Sequence, residues 1–282
     1  MKRLNAELVQ KHIDLFRCVI CQASFKVKES RSLVCINNHT FDFARQGYVN
    51  LLLKKVESHY DKSLFRSRRS IITESKLYAK LHETISNIIN KTFINREKVV
   101  IYDAGCGEGS HLHEIIQQSK LNTIGVGVDI SKEGIQLASS GYKESIWFVA
   151  DLARSPLVDE SCDAILNILS PANYDDFKRL LRDEGIMIKV VPRSNYLKEL
   201  REALYEDSTY DNEDIVSLFK EQFQLLKHLP LTYQVKLNEE DLENLLKMSP
   251  LAWNARIEAL NTFINEAPRS ITVDLDMLIG KK

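Results

Sequence analysis

The chain has 282 residues, of which 44% are hydrophobic and 27% charged, with a net charge of −1. This is an ordinary globular composition, long enough for one full α/β domain plus a smaller piece. It excludes a globally basic nucleic-acid binder, so any pull on RNA has to come from a local patch. No apolar run approaches the ~18 residues of a membrane span, so no membrane partner is expected.

Residues 1–16 read as a short amphipathic helix with Leu4, Leu8, Ile13 and Leu15 apolar. Glu7 and Asp14 interrupt any signal-peptide core. With five cysteines in all, the chain is expected in a reducing, cytoplasmic compartment rather than on a disulfide framework.

Cys18-Val-Ile-Cys21 and Cys35-Ile-Asn-Asn-His39 form the pattern C-x2-C…C-x3-H. Two close pairs on tight turns present four tetrahedral ligands, which predicts a structural zinc ion held by Cys18, Cys21, Cys35 and His39. A segment with so few core residues needs such a staple. Free cysteines and a core histidine are the alternative. Phe41, Phe43 and Tyr48 follow, interleaved with Arg45, Lys54 and Lys55. That mixture suits RNA stacking, but the favoured reading puts the aromatics in the core of the small domain.

Residues 56–74 read as a polar connection with a basic cluster, Arg66, Arg68 and Arg69, placed to hold RNA phosphates between two modules. Residues 75–93 read as an amphipathic helix. Val99–Tyr102 is a buried strand, followed by Asp103 and by Gly105, Gly107 and Gly109 in alternation, then a helix with Leu112, Ile115 and Ile116 on one face. A dinucleotide loop wants its third glycine at 110, which is Ser. The pattern D-x-G-x-G-x-G instead resembles the first motif of the S-adenosylmethionine-dependent methyltransferases.

Thr123–Asp129 is a second strand whose terminal acid, Asp129, is placed to take both hydroxyls of a ribose. Ser131 caps the next helix. Ile146–Ala150 is a third strand ending at Asp151, placed to meet an adenine amino group. Cys162–Leu169 and Ile186–Val191 are the fourth and fifth strands, with Asp175 and Asp176 opening the helix between them. Tyr196–Tyr205 is a helix, 222–237 one or two strands, Asn238–Met248 a capped helix and Ser270–Ile279 a last strand. The alternation predicts an α/β fold with a mostly parallel sheet covered on both faces.

Together these residues resemble the large-subunit ribosomal RNA guanine-N1 methyltransferases of the RlmA/TlrB type, over nearly the whole chain. The zinc ligands carry the likeness, with the run His39–Leu52, the run Tyr60–Arg69, Asp103–Gly109 and Met248-Ser-Pro250-Leu-Ala-Trp253. The resemblance implies a Rossmann-like class I S-adenosylmethionine-dependent methyltransferase fold with a small N-terminal zinc-binding domain. It implies methyl transfer to N1 of a guanine in a hairpin loop of 23S rRNA, RNA recognition by the zinc domain, and a tendency to homodimerise. Tyr78, His111 and Leu112 match family positions at the cofactor, beside Asp103, Gly105, Gly107, Gly109, Asp129 and Asp151. Tyr196 stands where the family often has His. Ser170-Pro171-Ala172 replaces the family's Ala-Pro-Cys, which excludes a catalytic cysteine there.

The expected domains are residues 1–56 as an arm with the zinc-binding RNA-recognition domain, 57–94 as linker and leading helix, and 95–282 as the methyltransferase domain. Guanine N1 carries a proton that must leave, and Asp175 or Asp176 is expected to accept it. Two alternatives stay open: a zinc-anchored RNA-binding factor without turnover, and a small-molecule methyltransferase.

Overall fold

The computed structural model describes residues 2–54, 61–205, 211–266 and 269–282. Lys55, Tyr60 and the expected domain boundary between 56 and 57 lie outside the described residues.

The chain opens with α1 (Lys2–Lys11), then β1 (Phe25–Lys28), β2 (Ser32–Cys35) and β3 (Thr40–Asp42), which pair antiparallel as a small ribbon. The short strand β4 (Val49–Asn50) leaves the ribbon. Two helices follow, α2 (Lys62–Thr73) and α3 (Ala79–Thr92). The stretch read as a polar connection is therefore largely helical. Asp61 caps α2 by accepting from the Leu64 N–H at 2.7 Å, and Leu64, Phe65, Ile71 and Ile72 form its buried stripe.

The main body runs β5 (Val99–Ala104), α4 (Ser110–Gln117), β6 (Thr123–Asp129), α5 (Lys132–Gly141), β7 (Ile146–Val149), β8 (Cys162–Ile168), α6 (Tyr174–Leu180) and β9 (Leu181–Pro192). It ends with α7 (Lys198–Leu204), α8 (Glu213–Gln222), β10 (Gln224–Lys236), α9 (Glu239–Met248), α10 (Ile257–Glu266) and β11 (Ser270–Lys281). Helices α8 and α10 have no counterpart in the sequence reading. The cap of α9 is a full capping box between Asn238 and Asp241.

Among the described residues, eight strands form one sheet in the order β10-β11-β9-β8-β5-β6-β7-β4. Strand β11 is antiparallel to both its neighbours, and the other pairings are parallel. The strand order reverses beside β5, the place where open α/β sheets bind ligands beyond their carboxyl ends.

Alternation along β5 builds a core on each face. Val99 and Ile101 join the cluster that includes Leu81, Ile85, Leu112 and Leu245. Val100 and Tyr102 join the other, with Phe177 and Phe219. The ribbon belongs to that second face: Phe16 meets Phe148 edge-on at 5.1 Å, and Phe25, Leu33 and Phe43 share the same cluster. Phe43 is buried and Phe41 half-buried in that cluster as expected, but buried Tyr48 joins the opposite cluster, with Ile71 and Ile135, rather than the core of the small domain. Strand β4 adds in parallel to β7, with Asn50 opposite Val149. The ribbon is thus joined to the edge of the large sheet by backbone pairing as well as by packing.

Candidate functional site

The ribbon presents its four ligands on two tight turns. The Gln22 N–H returns to the Cys18 carbonyl at 2.8 Å and the Asn38 N–H to the Cys35 carbonyl at 2.9 Å. Gln22 and Asn38 both adopt φ of +63°, the left-handed conformation that closes each turn. The ligand atoms of Cys18, Cys21, Cys35 and His39 all lie within 4.8 Å of one another. His39 Nδ1 is 3.5 Å from both the Cys18 and Cys35 Sγ atoms, and Cys21 Sγ is 3.7 Å from Cys35 Sγ. A tetrahedral ion with Zn–S of ~2.3 Å and Zn–N of ~2.0 Å requires about 3.8 Å between sulfurs and about 3.5 Å from sulfur to nitrogen. The donor set therefore fits zinc, with four ligands and no fifth group offered among the described residues.

The second site is the loop from Asp103 to Gly109 at the carboxyl end of β5. Gly105 has φ +79° and Gly107 φ +58°, and a Cβ would strike the Ser170 hydroxyl at the first and the Arg68 guanidinium at the second. Asp129 secures this loop from the neighbouring strand. Its Oδ2 accepts from the Gly107 N–H at 2.8 Å, and its Oδ1 accepts from the Ser131 N–H at 2.7 Å. Each oxygen keeps a lone pair for a further donor.

Asp103 is 2% exposed and its Oδ2 finds no hydrogen-bond partner among the described residues. Burial pushes its carboxyl up to about 7, with Arg68 opposing the shift and Asp129 and Glu108 adding to it. A buried acid without a donor is suited to an incoming cation.

Tyr78 and Tyr196 meet hydroxyl to hydroxyl at 2.5 Å. His111 lies edge-on to Tyr78 and is 2.8 Å from His82, Nδ1 to Nε2. Burial lowers His82 to about 3 and holds His111 well below the ordinary range, so both imidazoles are neutral and one N–H serves the pair. Leu112 is fully buried in the hydrophobic cluster. Asp151 is exposed and caps the short turn Leu152–Arg154, accepting from the Ala153 N–H at 2.9 Å.

The structure also places the two acids of α6 and the basic cluster of α2. Asp176 is 7% exposed and committed to Arg179, accepting from Nη2 at 2.6 Å and Nε at 2.9 Å, while Asp175 sits exposed in the first turn of α6. Both Arg179 bonds fall on Asp176 Oδ1, and its buried Oδ2 has no hydrogen-bond partner among the described residues; burial raises the Asp176 carboxyl above its ordinary range. The basic cluster also divides. Arg66 is exposed, but Arg69 donates to the Glu108 and Leu137 carbonyls at 3.3 and 3.0 Å and lies over the Tyr142 ring. Arg68 turns to Glu108, with Nε 3.4 Å from Oε2.

Two side chains at the loop were not assigned there from the sequence: Arg68, read as RNA-facing, and Lys189. Arg68 falls on the stripe of Leu64, Ile71 and Ile72 at helical spacing, a signal readable in the sequence. Lys189 interrupts the apolar run of β9 and is 5% exposed. It donates to Asn167 Oδ1 at 2.5 Å and the Ser170 carbonyl at 2.6 Å.

Comparison with known proteins agrees with this geometry. Residues 16–55 match the zinc-ribbon family described as RlmA, N-terminal, and residues 101–185 match a methyltransferase domain. The chain is 42% identical over 275 residues to the Bacillus subtilis (strain 168) protein YxjB, named a 23S rRNA (guanine-N(1)-)-methyltransferase, covering 95% of this chain and 98% of that one. It is 28% identical over 259 residues to the 23S rRNA (guanine(748)-N(1))-methyltransferase of Streptomyces fradiae, covering 91% and 92%. No helix among the described residues is long and apolar enough to cross a membrane. A methyltransferase domain takes S-adenosylmethionine and the ribbon takes zinc, and the chain belongs to the family of 23S rRNA (guanine-N1)-methyltransferases.

Proposed function

We propose that this protein transfers a methyl group from S-adenosylmethionine to ring nitrogen N1 of a guanine in a hairpin loop of 23S rRNA, working as a homodimer. The relatives' named activity supports the reaction. One observation carries the rest of the reading: β4 leaves the ribbon and pairs with β7, so an RNA-binding module is fixed to the same sheet as the glycine loop, with β6 and β7 between β4 and β5. Cys18, Cys21, Cys35 and His39 hold the zinc that shapes that module.

The cofactor supplies an electrophilic methyl on a sulfonium. The chain's part is mainly positioning. Gly105, Gly107 and Gly109 let backbone and ligand approach closely, as glycine loops opening a helix do. Asp103 faces the amino-acid end, Asp129 and Asp151 the ribose and base, and Tyr78, His111, Leu112 and Tyr196 close the pocket. The target base is unpaired and turned out of its loop, since a ring nitrogen in a stack is out of reach. Residues 1–56, 57–94 and 95–282 act as recognition domain, leading segment and catalytic domain.

The test is mass spectrometry of 23S rRNA from cells with and without the gene, with methylation of a purified hairpin fragment. A missing N1-methylguanine, restored by the wild-type gene and not by Asp103→Ala, is expected. An unchanged rRNA map with a methylated metabolite would instead support a small-molecule methyltransferase. Gel filtration with light scattering reads the dimer.

A further inference from the structure

Arg68 is a guanidinium set into the cofactor groove. Its Nε lies 3.4 Å from Glu108 Oε2, and its Nη1 occupies the space in which a Cβ on Gly107 would stand. The Glu108 side chain is 0% exposed, and neither Glu108 Oε2 nor Asp103 Oδ2 has a hydrogen-bond partner among the described residues. Three carboxyl groups, on Glu108, Asp129 and Asp103, thus lie close enough to one guanidinium at the glycine loop to bear on its charge. The charges of the methyl donor's amino-acid end mirror this set. It carries an ammonium and a sulfonium, both cationic, and one carboxylate.

We propose that Arg68 grips the α-carboxylate of the cofactor, leaving the acids to face its two cationic centres. The planar fork of donors on a guanidinium matches a carboxylate, and the half-buried site strengthens the pairing. The basic cluster of α2 is then divided by helical phase. Arg68 serves the cofactor, Arg69 anchors the helix to the loop and to Tyr142, and exposed Arg66 is left for solvent or RNA. This inference rests on the reading that the cofactor lies over Gly105–Gly109.

The experiment is calorimetry on the full-length zinc-loaded protein with two ligands, S-adenosylhomocysteine and its decarboxylated analogue S-adenosyl-3-thiopropylamine. Wild type is expected to favour the carboxylated ligand. Arg68→Gln is expected to weaken S-adenosylhomocysteine about tenfold to a hundredfold while changing the analogue less than about threefold, the size of one charged hydrogen-bonded pair. Its affinity for an rRNA hairpin stays unchanged. Arg68→Lys keeps the charge without the fork, and it too must lower the preference, which serves if Arg68→Gln fails to fold by circular dichroism. Equal weakening of both ligands, or loss of RNA affinity with S-adenosylhomocysteine binding intact, overturns the proposal. Wild type that binds neither ligand overturns the cofactor reading itself.

Discussion

Asn167 and Lys189 form a buried pair across β8 and β9, with the Lys189 ammonium donating to Asn167 Oδ1 at 2.5 Å. The Asn167 amide nitrogen in turn donates to the Ala104 and Pro171 carbonyls, both at 2.9 Å. Ala104 precedes the first glycine of the cofactor loop, and Pro171 lies in the loop after β8. One side chain therefore holds the two loops in register. Asn167→Ala leaves a buried ammonium with one fewer acceptor and two carbonyls without their donor. A loss of about 2–3 kcal/mol in urea denaturation is expected, with methyl transfer falling more than S-adenosylhomocysteine affinity.

Lys189 also predicts a pH effect. Burial lowers its folded pKa to about 8 from the ordinary 10.5. Below about 8 the lysine is charged in both folded and unfolded chains and the stability difference is constant. Between these two values the unfolded chain binds more protons, so this residue's contribution to stability rises with pH. Denaturation from pH 7.5 to 10 should show wild type gaining on Lys189→Met. Parallel curves would remove the lysine as the cause.

Asp103 predicts the pH dependence of cofactor affinity. Its carboxyl, raised to about 7 by burial, keeps a proton in the folded chain that the unfolded chain has already lost above 3.8. Its contribution to stability falls as pH rises through that window. An ammonium arriving beside it favours the ionised form, with Arg68, Asp129 and Glu108 setting the background. S-adenosylhomocysteine affinity should therefore climb from pH 5.5 to 7 and then flatten, with proton release seen as a buffer-dependent heat. Asp103→Asn should abolish that dependence and weaken binding about tenfold.

Removing zinc should affect the whole protein. Cys18 and Cys35 are 0% and 1% exposed, and the ribbon shares one hydrophobic cluster with the main sheet through Phe16, Phe25 and Phe148. A structural zinc site contributes directly to folding. Chelation, or Cys35→Ser, should lower the melting temperature of the chain as a single transition and abolish hairpin binding. Metal analysis should read one zinc per chain before treatment. Two separate transitions would show that the ribbon folds independently.

The local signals were those that neighbouring residues settle among themselves. The C-x2-C…C-x3-H spacing, the strand that ends at Asp103, its alternating glycines, the acid at the end of β6 and the Asn238 cap each need only a few adjacent positions, so they stood in the sequence. Tertiary structure decided what each charged side chain faces. Asp176 lies a single turn from Arg179 and is taken by it, whereas Arg68 and Arg69, adjacent in sequence, meet different groups of Glu108, the carboxylate and the carbonyl. It also decided that β4 joins β7, and which helices cover the late strands, since α8 is held by Phe219 and Phe223 against Tyr174. Periodicity tells which side of an element is buried. The partner waiting there, whether core, counter-ion or ligand, comes from distant segments, and only the assembled sheet and helices name it.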